Sequence, residues 1–388
     1  MTAKPALREV DVAGIATTPF GKHLDRSLGS LAAEAVAAAL ADAGLPPAEV
    51  ESAVFANAAA GVLSGQEMIR GQVALKATGL AGIPIINTEN ACASGGTAAY
   101  LAWLSVASGQ AEVAIAVGAE KLFHPDKQRS FAAIESGTDL SVPREGDAVD
   151  GGSVMMGAYA AEARAYAAQH GDVAGALAAV AVKNRGYAAG NPHAQFRTPI
   201  TAEEVAASRL VADPLRLLTC SPLTDGAAAI VFTAARPGDR VRVAVSVLAS
   251  YRAGDPVVGR AADGAYRRGG LAPADIDVFQ LHDACAFAEV LQYEQVGIAK
   301  PGQGAAAVLD GRTGPGGDAP VNTDGGLLSR GHALGATGLA QLAELVRQLR
   351  GEAGQRQVPA ALHALAVNAG GWMGDDYATC VATALVCG

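Results

Sequence analysis

The chain has 388 residues, enough for two large domains or one large pseudo-symmetric unit. Half of the residues are hydrophobic and 17% are charged, which excludes a disordered chain. The net charge of −9, with no lysine- or arginine-rich run, argues against nucleic acid as a partner, and no apolar stretch is long enough to span a membrane.

In chain order, residues 10–15 read as a strand and residues 28–43 as an alanine-rich helix closed by Gly44. A short turn or helix at 46–49 precedes a strand at 53–56, a helix over 64–77 and an extended segment at 83–86. Next comes Asn87-Thr88-Glu89-Asn90-Ala91-Cys92-Ala93-Ser94-Gly95-Gly96-Thr97, a small-residue turn with one cysteine at its junction with a helix over 98–108. A strand at 113–117 follows. Strands alternating with helices define an α/β architecture with helix-covered sheets.

The character changes between 121 and 210. Residues 123–127 and 141–147 are loop-like, 156–169 and 173–187 are helical, and 191–196 are irregular. Such a long insertion reads as an excursion laid over the core, where binding function concentrates. Strands at 227–232 and 241–248 return to the core pattern. The expected units are an N-terminal half over 1–120 and 211–240, a loop domain over 121–210, and a C-terminal half over 241–388.

The second half repeats the first. Residues 44–51 match 270–277, the cysteine turn matches 331–338, and 114–119 match 364–369, in the same order. Cys92 falls on His332, Gly95 on Gly335 and Thr97 on Thr337, each 240 positions apart. An ordered set of matches marks an internal duplication of a βαβ-rich unit. Two like halves packed about a pseudo-two-fold axis bring equivalent helix starts together, so Cys92 and His332 can meet in one site.

Taken alone, Cys92 fits a buried structural cysteine as well as a reactive one. Its place at a helix start predicts a lowered thiol pKa through the helix dipole and free N–H groups. The equivalence with His332 decides for a nucleophile and its base, an arrangement suited to acyl transfer. His282 ends a strand over 276–281, where open α/β sheets bind ligands, and can donate to a thioester oxygen that becomes negative. Asp283 or Glu289 would orient groups around it. The N–H groups of Cys92 and Gly370 can form an oxyanion hole, because the glycines of 368–374 let backbone donors face a cavity. The run 331–338 lacks the lysine of a phosphate-binding loop. The five cysteines show no metal-type spacing, so no metal is expected. Their odd number, behind an N-terminus without an apolar leader, fits a reducing cytoplasm.

These residues resemble the thiolase superfamily, and most closely the branch of sterol-carrier-protein-2 thiolases. The resemblance covers nearly the whole chain. It is carried by Asn90-Ala91-Cys92-Ala93-Ser94-Gly95, by 191–196 and 225–229, by His282-Asp283, by 331–338, and by Asn368-Ala369-Gly370-Gly371. It implies a five-layered αβαβα fold, a homodimer, a coenzyme A thioester as substrate with no permanently bound cofactor, and an acyl intermediate on Cys92. His332 would activate Cys92, and His282 would sit in the first oxyanion hole.

Three departures bear on the chemistry. The family's glycine-histidine-proline is Gly331-His332-Ala333, and the second catalytic cysteine near the C-terminus is replaced by Asn368. The sterol-carrier branch supplies a cysteine directly after its His-Asp pair; here Ala284 stands there and Cys285 follows. If that segment is helical, one residue turns Cys285 by about 100°. A reversible thiolase needs an acid/base for the acceptor's α-proton, and Asn368 cannot exchange one. Three functions therefore follow. The first is thiolysis or Claisen condensation, with Cys285 or water as substitute base. The second is decarboxylative condensation, or transfer to a non-CoA acceptor, using Cys92, His282 and His332 alone. The third is an accessory subunit that needs a small CoA-binding partner protein, although an intact Cys92–His332 pair argues against pure scaffolding.

Overall fold

The computed structural model describes residues 7–141, 153–238 and 240–388. The loop-like stretch at 141–147 lies, beyond Ser141, outside the described residues. Strand β1 (Val10–Thr17) leads into helix α1 (Leu28–Ala43), whose first turn is capped by the Ser27 side chain accepting the N–H of Ser30. Gly44 closes α1 at φ 66°, a left-handed conformation that costs glycine nothing. Strand β2 (Ser52–Ala56) follows. Two short helices, α2 (Ala60–Ser64) and α3 (Arg70–Leu75), replace the single helix expected over 64–77. Gly65, at φ 78°, ends the first, and the chain re-enters helix through Ile69 at φ 51°. Then come β3 (Ile85–Thr88), α4 (Ser94–Ala107) and β4 (Val113–Glu120). Helix α4 begins four residues before the expected start at 98, so its first turn adjoins Cys92.

The excursion contains α5 (Lys127–Glu135), α6 (Val154–His170), α7 (Ala174–Ala189), α8 (Ala202–Ala207), and a hairpin of β5 (Leu210–Ala212) with β6 (Leu215–Arg216). That hairpin pairs only with itself, and the main sheet is re-entered at β7 (Gly226–Ala234). The excursion therefore extends past the expected boundary at 210, up to Asp225. The second half comprises β8 (Val241–Ser250), α9 (Val257–Gly269), β9 (Val278–Gln280), α10 (Ala286–Gln295), α11 (Gly304–Leu309), α12 (Gly326–Ser329), α13 (Leu334–Arg350), β10 (His363–Gly370) and β11 (Thr379–Cys387).

The strands run β3-β2-β4-β7-β1-β8-β11-β10-β9, but β1 and β8 share a single residue pair, Asp11 with Arg242. The sheet is thus two half-sheets joined at one point. In each, a parallel pair (β2 with β4, β9 with β10) adjoins an antiparallel one (β4 with β7, β10 with β11). Gly270 closes α9 at φ 66°, as Gly44 closes α1, and a 3-10 turn follows each. The duplication is therefore built into the backbone.

Helix α1 covers the outer face of the first half-sheet and α9 that of the second, while α4 and α13 lie between the halves. The layers run helix, sheet, helix, sheet, helix. α13 is buried along nearly its whole length because it packs on β4 and β7 on one side and β10 on the other. Glycines set how closely α4 and α13 start together. A Cβ on Gly95 would fall 2.7 Å from the Gly335 carbonyl oxygen, and one on Gly338 2.3 Å from the Gly96 nitrogen. That close approach brings the Cys92 and His332 turns together.

Candidate active site

The nucleophile turn is held by its own small side chains. Ser94 Oγ accepts the Asn90 N–H at 2.9 Å and donates to the Ala91 carbonyl at 2.6 Å. Ala91 takes φ 48°, which swings Cys92 out of the strand direction and over the first turn of α4. The Cys92 thiol is not the low-pKa group that its helix start predicts. Burial pushes it up to about 12, with Glu120 adding to the rise; the N–H groups of Gly371 and of Cys92 itself oppose this but do not prevail. Desolvation outweighs the helix-end field here. In the resting site Cys92 is a thiol that needs a base.

His332 places a ring nitrogen within 4.8 Å of the Cys92 sulfur. Its loop is fixed from outside: the His332 N–H donates to Thr224 Oγ1 at 3.0 Å, and the Thr224 hydroxyl donates to Gln195 Oε1 at 2.6 Å. The Gln195 N–H in turn donates to the Arg330 carbonyl. The irregular segment 191–196 is thus a brace for the His332 loop, which holds its shape with Ala333 in place of proline. Thr337 then selects the tautomer. Its hydroxyl donates to the Ala333 carbonyl at 3.0 Å, so towards His332 Nδ1, at 2.8 Å, it can only accept. With the hydroxyl proton given to Ala333, the His332 proton is assigned to Nδ1 and the lone pair to Nε2, which has no partner among the described residues. Burial, reinforced by His282 and Arg330, holds the His332 pKa well below its ordinary value, so the ring is neutral.

His282 follows β9. Both of its backbone groups are clamped by Gln292, whose Oε1 accepts the His282 N–H at 2.8 Å and whose Nε2 donates to the His282 carbonyl at 2.9 Å. Burial and the Arg330 charge lower its pKa to about 3. The His282 and His332 rings stand edge to face, with centroids 5.2 Å apart. One ring nitrogen from each and the Cys92 sulfur lie within 4.8 Å of one another. Among the described residues, no other three His, Cys, Asp or Glu side chains are grouped closely enough to share a ligand.

Cys285 is not brought to this group. The segment 281–285 is irregular rather than helical, with a bend at Ala284; His282 and Ala284 line the cavity, while Asp283 and Cys285 do not. Cys285 is fully buried, and burial drives its thiol pKa well upward. Asp283 accepts the N–H groups of Leu327 and Leu328, and Glu289 pairs with Lys183 at 2.7 Å and accepts from Asn184 and Asn322. Both carboxylates brace the loops behind His282 rather than the ring itself. Asn368 lies beside Cys92, its amide donating to the Cys92 carbonyl at 3.0 Å. Gly370 lines the cavity, but the N–H that bears on the Cys92 sulfur comes from Gly371.

These groups open into a cavity of about 500 Å³. The excursion forms its outer wall through Phe131, Ile134, Met155, Tyr159, Leu217 and Cys220. Tyr159, Tyr377 and Cys220 were not singled out by the sequence. No short-range signal could place them, because they reach the cavity from an excursion helix, a C-terminal turn and the strip leading back to β7. The backbone of Cys220 pairs with that of Cys285, and Cys220 is the one of the two that lines the cavity.

Comparison with known proteins gives a consistent pattern. The description "Thiolase, N-terminal domain" matches residues 10–236, and "Thiolase C-terminal domain-like" matches residues 253–383. The acetyl-CoA acetyltransferase of Methanothermobacter thermautotrophicus is 39% identical, over 94% of this chain and 97% of its own length. The benzoylsuccinyl-CoA thiolase subunit BbsB of Thauera aromatica is 38% identical, over 90% of this chain and 91% of its own. Human sterol carrier protein 2 is 36% identical, over 94% of this chain and 70% of its own. Among solved structures, the Ltp2-ChsH2(DUF35) aldolase aligns over 97% of both chains, with TM-score 0.77 and 25% identity. Human mitochondrial 3-ketoacyl-CoA thiolase aligns over 99% of this chain and 100% of its own, with TM-score 0.73 and 19% identity.

Proposed function

This chain belongs to the thiolase family and has the thiolase fold, and we propose that it transfers an acyl group from a coenzyme A thioester through a thioester on Cys92. The observation that carries this reading is the grouping of Cys92, His282 and His332, in which His332 Nε2 has no partner among the described residues and its Nδ1 is held by Thr337. His332 takes the thiol proton as the sulfur attacks the acyl carbonyl. The C–S bond to coenzyme A breaks, and His332 returns the proton to the departing thiolate. His282 and the N–H groups of Cys92 and Gly371 are the donors available to the oxygen that becomes negative. Arg209, exposed at the cavity rim, suits the phosphates of the coenzyme.

The acceptor is the open half of the reaction. Cys285 does not line the cavity and Asn368 carries an amide, so no side chain occupies the position of the family's second cysteine as an acid/base. That supports a second reading, in which the carbanion arises by decarboxylation or the acyl group passes to an acceptor other than coenzyme A. Cys220, which lines the cavity, is an alternative for a Claisen or thiolytic half-reaction, and burial pushes its thiol up to about 12.

A homodimer is supported by β3, an edge strand flanked by exposed Met68, Ile69 and Ile86. A further partner protein is supported by two relatives: BbsB is named as a subunit, and the Ltp2 structure is a complex with ChsH2(DUF35). No helix among the described residues is long and apolar enough to cross a membrane. Five unpaired cysteines suit a reducing compartment such as the cytoplasm.

The test is intact-protein mass after incubation with a panel of acyl-CoAs, malonyl-CoA among them. The expected result is an acyl adduct that Cys92→Ala abolishes. Free CoA, malonyl-CoA or another acceptor then identifies itself by discharging the adduct. Absence of an adduct with every donor, with and without a CoA-binding partner, would reject the reading.

A further inference from the structure

Two neutral imidazoles beside one thiol pose a problem. If both offered lone pairs they would compete for the Cys92 proton, and no donor would face the acyl oxygen. Thr337 makes His332 the base, and a separate residue acts on His282. Asn368, on β10, is buried in a slot between the starts of α4 and α13; a Cβ on Gly338 would lie 2.3 Å from its Oδ1. Its orientation is determined twice over. Oδ1 accepts the Gly96 N–H at 3.0 Å, and Nδ2 donates to the Cys92 carbonyl at 3.0 Å. A flipped amide would set its oxygen against a carbonyl and its NH2 against an N–H. With this orientation, Nδ2 also faces His282 Nδ1, at 3.5 Å.

A ring nitrogen that faces an amide NH2 is favoured as a lone pair, because a proton there would meet another N–H. The proton of His282 is then on Nε2, the atom that is buried and without a partner among the described residues. We propose that Asn368 is a positioning residue that holds His282 as the Nε2–H tautomer, so that the ring is a hydrogen-bond donor and not a second base. The site thus sets two opposite tautomers. Thr337 leaves a lone pair on His332, and Asn368 leaves an N–H on His282, separating base from donor without a charge on either. A thiol at this position could not satisfy the Gly96 N–H and the Cys92 carbonyl while also facing His282. The substitution of Asn368 for the family's cysteine therefore has a structural use beyond the loss of a proton carrier. This inference rests on the reading of His282 as the donor to the acyl oxygen.

The test reads the tautomer directly. Long-range proton–nitrogen correlation spectra of protein labelled with 15N-histidine distinguish the two neutral forms, and His282→Gln assigns the signal. The native protein is expected to show His282 protonated on Nε2. In Asn368→Asp the carboxylate accepts from Nδ1, so the His282 proton should move there. Acylation of Cys92 should then fall on the order of 10²–10³-fold, the loss that follows removal of one oxyanion donor. A native His282 protonated on Nδ1 would overturn the proposal, and the wild-type spectrum decides this even if Asn368→Asp does not fold. A folded Asn368→Asp that keeps the Nε2–H form would overturn it too. The spectrum needs no substrate, so the two readings fail separately. An Nε2–H tautomer without acylation condemns the proposed function, and acylation with an Nδ1–H tautomer condemns this inference.

Discussion

In the proposed function Thr337 sets which nitrogen of His332 is basic, through one hydroxyl that donates to Ala333. Replacing it by valine keeps the shape and removes the acceptor. His332 Nδ1–H is then a buried donor without a partner, at a cost of about 1–3 kcal/mol. If that cost falls on the productive tautomer, acylation of Cys92 by an acyl-CoA slows by about 10–100-fold, and Thr337→Ser restores most of the rate. Time-resolved intact-mass measurement at pH 7 checks both, and an unchanged rate in Thr337→Val would remove Thr337 from the mechanism. At this scale the sequence was informative about identity and poor about environment. The 240-residue offset pairs Cys92 with His332 without any structure. It does not show that burial raises the Cys92 thiol rather than lowering it, because desolvation depends on the side chains that close over the turn. Nor could it show that Cys285 does not line the cavity. That depends on the non-helical path of 281–285, which is held by Gln292 clamping His282 from α10 and by the pairing of Cys220 with Cys285.

Helices α4 and α13 must start almost in contact for the site to exist, and glycines allow it. A Cβ at Gly338 would stand 2.3 Å from the backbone nitrogen of Gly96, where neither helix can yield without moving the Cys92 or the His332 turn. Gly338→Ala is expected to cost about 3 kcal/mol by overpacking. Gly186, exposed in the last turn of α7 with nothing within 4 Å of where a Cβ would stand, is the control. Gly186→Ala should gain up to about 1 kcal/mol from helix propensity. Urea unfolding of both variants gives the comparison; equal effects would mean that the helix contact is not what constrains Gly338. The duplication that places these helices was legible because it repeats short turn motifs, Gly44 with Gly270 and Gly95 with Gly335, whose backbone geometry recurs. The division of 64–77 into α2 and α3 was not legible, because the chain turns at Ile69 in a conformation that β-branched residues rarely take. Beyond residue 210, β5 and β6 pair only with each other and stand outside the main sheet.

The whole molecule carries two opposed sets of perturbed groups, and their signs determine how its stability depends on pH. Burial lowers the pKa of His193 to about 4 and of His282 to about 3, and lowers that of His332. Against an unfolded value near 6.5, the unfolded chain binds more protons as the pH falls below that point, so these groups remove stability on acidification. Burial raises Glu162 to about 8, helped by Asp376 and Asp375, and raises Glu120 and Asp283. Here the folded chain keeps a proton that the unfolded chain has lost, so stability falls as the pH climbs from the ordinary carboxylate value towards the folded one. The two sets oppose each other between about pH 4.5 and 6.5, and above that window only the carboxyls still act. Glu162 and His193 lie outside the Cys92 group, so each set can be relieved without replacing Cys92, His282 or His332. Glu162→Gln should raise the midpoint of thermal unfolding by about 2–4 °C at pH 8 and by much less at pH 5. His193→Asn should show the reverse, with its gain at pH 5 and none at pH 8, because at pH 8 the imidazole is neutral in both states. Thermal unfolding followed by circular dichroism at the two pH values gives four midpoint shifts. If the two variants shift in parallel at both pH values, their effects are those of packing, and burial of these two side chains does not set the pH response of the fold.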